Sequence, residues 1–117
     1  MGFEKLKGLT LTEVRGLEKD SEEVFLTTSE GKKFYMYHPQ DCCESVRVEE
    51  IVGDVEDILN TPILLAEEST QKGPDGEWGD TSTWTFYRLQ TIKGPLVIRW
   101  LGESNGYYGE SVDFAEV

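Results

Sequence analysis

Apolar and polar residues alternate with a period of two along most of this chain, the pattern of strands that turn one face to a core. It is plainest in KFYMYH (33–38), where Phe34, Met36 and His38 face one way and Tyr35 and Tyr37 the other. The same reading makes strands of 9–17, 23–29, 45–51, 62–69, 82–92, 96–103 and 107–115. Turn chemistry separates them. Gly31 sits where a tight hairpin needs positive φ. Pro39 stops the third strand because it has no N–H to donate. Lys93-Gly94-Pro95 turns the chain, and Asn105-Gly106 predicts a type I′ hairpin that lays 107–115 beside 96–103. DVEDILN (54–60) predicts one short helix, N-capped by Asp54 and ended by Pro62. Residues 70–81 form the one long loop.

This pattern predicts an α+β chain, predominantly antiparallel β, with one short helix. Both faces of 82–92 and 96–103 carry large apolar groups. The sheet is therefore expected to be strongly curled or barrel-like, or to pair its second face in a homodimer. A length of 117 residues is that of a single domain, 1–117. No window approaches the ~18 apolar residues of a membrane span, and MGFEKLKGLT lacks the apolar stretch of a secretory signal. A soluble cytoplasmic protein is the expectation.

Charge changes the picture more than composition does. The net charge is −12, from 23 acids and 11 bases. Residues 41–70 hold nine of the acids and one base, hence two thirds of the excess. Such a surface repels phosphate, which argues against direct nucleic-acid binding. It attracts a basic partner and steers its approach. The acids expected to form that surface are Asp41, Glu44, Glu49, Glu50, Asp54, Glu56 and Asp57.

YHPQDCCESVRVEEIVGD (37–54), TSTWTFYRLQTIKG (81–94) and IRWLGESNGYYGESVDF (98–114) stand in an order and spacing that resemble a family of small uncharacterised bacteriophage and prophage proteins. The resemblance runs from about residue 9 through most of the chain. It implies no activity and no cofactor. It implies a setting, that of an accessory phage product in a bacterial cytosol. By analogy, products of this size inhibit or sequester components of host defence.

Reactive residue types concentrate in 38–44, which holds the only histidine, His38, and both cysteines, Cys42 and Cys43. Zinc is disfavoured, because structural sites space their cysteines by two to four residues and adjacent residues of an extended chain point apart. A vicinal disulfide would close a strained ring and is unexpected in a reducing cytosol. Acidic neighbours oppose a catalytic thiolate. The structural alternative buries one cysteine as a small apolar group and lets Asp41 cap the turn. In the 72–80 loop, Asp75, Glu77 and Asp80 lack the pattern of a Ca²⁺ loop.

The sequence therefore reads as a non-enzymatic binding protein, without metal or cofactor, whose acidic surface engages a basic host protein. A second reading is an oligomeric binder of a planar, nucleotide-like molecule, with Trp84, Arg99, Asn105, Tyr107 and Tyr108 as its pocket. A third is a cysteine- or metal-dependent enzyme at His38, Cys42 and Cys43.

Overall fold

A computed structural model of the chain describes every residue except Met1, Asp75, Glu77 and Trp78. Eight strands follow in order: β1 (Leu11–Arg15), β2 (Glu23–Thr28), β3 (Lys33–Tyr37), β4 (Ser45–Gly53), β5 (Leu65–Lys72), β6 (Thr81–Thr91), β7 (Gly94–Ser104) and β8 (Asp113–Glu116). They form two four-stranded sheets, β1-β2-β3-β8 and β4-β7-β6-β5, and every named pairing is antiparallel.

Period-two alternation sets the inner faces. Val24, Leu26, Phe34 and Met36 face inward from the first sheet, and Val46, Val48, Tyr87, Leu89, Leu96, Ile98 and Trp100 from the second. One buried cluster holds both sets. Phe3, in the 3₁₀ turn Phe3–Leu6, links them: its ring lies 4.7 Å from Tyr87 and 5.4 Å from Phe114. Two backbone bonds tie the sheets at their edges. The Asp20 N–H donates to the Val48 carbonyl at 2.7 Å, and the Val48 N–H donates to the Ser21 carbonyl at 2.8 Å.

The architecture corrects the expectation of an α+β chain with a strongly curled or barrel-like sheet. Neither sheet is closed or strongly curled, and the described residues contain 3₁₀ turns but no α-helix. The expected helix at 54–60 is a single 3₁₀ turn, Val55–Ile58, and Asp54 makes no side-chain cap. The reason is competition for the backbone. Asn60 donates to the Leu11 carbonyl at 2.7 Å and Leu59 bridges to Leu11, so the chain leaves the helical path to extend a ladder.

Nor does Asn105-Gly106 make the expected hairpin. Strand β7 already lies between β4 and β6, so neither of its edges can receive another strand. The chain crosses to the other sheet and pairs as β8 with β3. A type I′ turn needs positive φ at both central residues; Gly106 has φ 91°, while Asn105 is not in that region. The Asn105 side chain instead accepts the Tyr107 N–H at 3.0 Å. Strand β5 runs on to Lys72, so the connection to β6 is shorter than expected.

Because Phe3 is fully buried and contacts a ring from each sheet, Phe3→Ala should destabilise the fold by about 3–5 kcal/mol. Urea unfolding followed by far-UV circular dichroism measures this. A loss below about 1 kcal/mol would mean that the sheets do not depend on this link.

Candidate functional site

Residues 38–44 connect β3 to β4, and their geometry follows from the phase of the strands. Glu44 precedes Val46 and Val48 by two and four residues, so it shares their inward face. Its side chain is fully buried. A buried carboxylate must collect donors, and this one does. His38 Nε2 lies 2.8 Å from it, the N–H groups of Asp41 and Cys42 donate at 3.0 and 2.9 Å, and Gln40 Nε2 donates at 3.2 Å. Gln40 also donates to the Glu44 carbonyl at 2.7 Å. The His38 bond, aided by the two backbone donors, outweighs burial and holds the Glu44 carboxyl at about 2.

The other histidine nitrogen, Nδ1, lies 2.7 Å from the Ser111 carbonyl. Both ring nitrogens are engaged, one by a carboxylate and the other by a carbonyl. His38 thus ties the 38–44 turn to the crossover between β7 and β8. That crossover has its own anchor. Glu110 accepts the hydroxyls of Thr81, Thr83 and Ser104. Burial opposes the charge on Glu110, but these three donors and Lys72 outweigh it and lower its carboxyl below the usual range. Gly102 permits the approach, since a Cβ there would lie 2.4 Å from the Glu110 carbonyl oxygen.

Several expected roles change. Glu44 caps the turn, not Asp41, which is exposed and contributes its N–H. Neither cysteine is buried: Cys42 and Cys43 are exposed and joined as a vicinal disulfide. No free thiol remains, and both nitrogens of His38 are engaged. Among the described residues, no cluster of three or more His, Cys, Asp or Glu is arranged to hold a metal. Asp80 is exposed, while Asp75 and Glu77 of the same loop lie outside the described residues.

The seven acids of the expected surface do not form one patch. Glu44 is internal, Glu49 pairs with Arg47 at 3.1 Å, and Glu50 pairs with Arg99. Asp41 precedes β4, whereas Asp54, Glu56 and Asp57 follow it, so a nine-residue strand of about 30 Å separates them. Asp54 and Glu56 are exposed and Asp57 half-buried. The expected ligand pocket also divides. Trp84 and Arg99 share the outward face of the second sheet, with the guanidinium 5.0 Å from the indole. Asn105, Tyr107 and Tyr108 belong to the crossover, whose Glu110 reaches the inward-facing hydroxyls, and the two tyrosine rings pack edge-on at 5.0 Å.

The structure instead opens a cleft of about 320 Å³ between the sheets, lined by Glu22, Glu23, Tyr37, His38, Gln40 and Glu44 among others. Glu22 and Glu23 are exposed and form no ion pair among the described residues. Beside the cleft, Phe25, Tyr35 and Tyr37 form a stacked ladder at 4.7 and 4.3 Å, and the Tyr35 hydroxyl donates to Glu23 at 2.8 Å. Burial, then the Glu23 carboxylate, raises the Tyr35 phenol above its usual range, which keeps it a donor. Gly16 lets the β1–β2 connection pass this close, with φ 76° and a would-be Cβ 2.3 Å from the Glu23 carbonyl oxygen. Glu22 and Glu23 carried no signal in the sequence, because their approach to His38 and Gln40 is tertiary.

Glu44 supplies the pH test. Its folded value lies below the ordinary 4.5, so its stabilisation is complete above that value and is lost as pH falls toward 2. Glu44→Gln should lower the melting temperature at pH 6, and the gap from the unaltered protein should shrink between pH 4.5 and 2. A gap that is constant across this range in thermal unfolding would contradict the ionised hub.

No curated protein and no solved structure matches this chain. Among the described residues, no helix is long and apolar enough to cross a membrane. A family model described as a domain of unknown function, DUF7448, matches residues 4–114, and the protein belongs to that family.

Proposed function

We propose that this protein acts by binding, not by catalysis, and that it engages a basic protein partner through the cleft between β2, β3 and β4. The observation that carries this reading is the pairing of two unneutralised carboxylates, Glu22 and Glu23, with an adjacent aromatic ladder. A lysine or arginine side chain is suited to both halves of such a site: its charge meets the carboxylates and its cationic head packs on a ring face. The surrounding field favours the same partner, since a chain of net charge −12 draws cations in and turns phosphate away.

On this reading the binding surface lies not on the acidic 41–70 segment as a whole but on residues drawn from β2, β3 and the 38–44 turn. The setting completes the reading: an accessory phage protein in the bacterial cytoplasm, whose partner is a host defence or nucleic-acid-binding protein with a basic surface. The planar-ligand reading has less support, because its five residues are divided between two parts of the molecule.

Affinity capture from bacterial lysate tests the proposal. The unaltered chain should retain a basic protein at low salt and release it at high salt, because exposed charge pairing is screened. Glu22→Lys with Glu23→Lys should abolish capture. Asp54→Lys with Glu56→Lys, beyond the far end of β4, should leave most of it. Empty capture, salt-indifferent capture, or equal loss in both double variants would overturn the reading.

A further inference from the structure

We propose that the outward face of the sheet β4-β7-β6-β5 is a docking surface for a second copy of this chain. The register places its side chains in rows. Trp84 neighbours Leu101, Phe86 neighbours Arg99, and Arg88 neighbours Val97 across the two central strands. Trp84 and Phe86 are nearly parallel at 6.1 Å, and Arg99 lies 5.0 and 5.6 Å from their rings. Trp84, Phe86, Val97 and Leu101 remain only partly covered, and Val52 at the β4 edge is 50% exposed. Large apolar groups at the centre of a long two-sided sheet are what a second layer buries.

Charge selects the occupant. Three of the four arginines, Arg47, Arg88 and Arg99, belong to this face, against Glu49, Glu50, Glu67 and Glu103. Three positive and four negative charges leave −1 here, out of −12 for the chain. Two copies repel one another over the rest of their surfaces and can approach where the charge is nearly balanced. A two-fold axis parallel to the strands and midway between β6 and β7 lays Trp84 on Leu101 of the second copy, Arg88 on its Val97, and Phe86 on its Arg99. Apolar and cation–π contacts then repeat across an isologous interface. The outward face of the other sheet is less suited, because its strands run only four to six residues.

Sedimentation equilibrium of the full chain over a concentration series, at low and high salt, tests this. The expected result is a monomer–dimer equilibrium that tightens with salt, since screening relieves the residual repulsion. That response is opposite in sign to the salt-weakened capture of a basic partner, so the two proposals fail separately. Phe86→Asp should leave a monomer with unchanged circular dichroism. Should that variant unfold, Arg88→Asp, at an exposed position, should weaken dimerisation about tenfold or more, because it takes the charge of this face from −1 to −3 on each copy and two such faces repel. A monomer at the highest soluble concentration, or a dimer indifferent to Arg88→Asp and to any folded Phe86→Asp, would overturn the proposal.

Discussion

Both edges of β7 are occupied, one by β4 and the other by β6, and much of the remaining architecture follows from that saturation. A strand offers one row of backbone groups on each side, and both rows here are spent. The segment after Ser104 therefore cannot fold back as a hairpin. It crosses to the other sheet, where β8 completes the pairing of β3. The crossover brings the Ser111 carbonyl to His38, His38 binds Glu44, and Glu44 organises the 38–44 turn that lines the cleft.

Electrostatics divides the surface in a way that net charge conceals. Some acids are used inside the molecule: Glu44, which is buried, and Glu110, which is half-buried, each gather several donors. Buried carboxylates of this kind order a loop and do not advertise it to a partner, because their lone pairs are already filled. Glu22 and Glu23 form no ion pair among the described residues and lie beside aromatic rings, and three of the four arginines gather on the opposite sheet among apolar neighbours. An acidic molecule can thus hold one surface fit for a basic partner and another fit for itself.

Local physics was legible in the sequence. Alternation located seven of the eight strands to within a few residues, whereas the last, expected at 107–115, is only Asp113–Glu116; Gly31 takes the positive φ its turn requires, and Pro39 stands just beyond the end of β3. Alternation puts His38 in phase with Phe34 and Met36, and those two face inward. The same argument applied to Glu44, in phase with Val46 and Val48, marks it as internal, and its charge drew attention to the surface instead. The cysteines misled for the converse reason: their residue type favours burial, but the turn built around Glu44 leaves both outside.

The sequence by itself determined the strands, their inward faces, the stops between them and the sign of the field around the molecule, since each depends on neighbours a few residues apart or on simple sums. Only the tertiary structure decided which strands became neighbours. Edge saturation at β7 turned a hairpin signal into a crossover, and competition from Leu11 cut a helical signal to one turn. It also decided that Glu22, Glu23, Tyr37 and Gln40 would share a cleft, because that proximity is set by sheet pairing between distant segments and leaves no periodic trace in the chain.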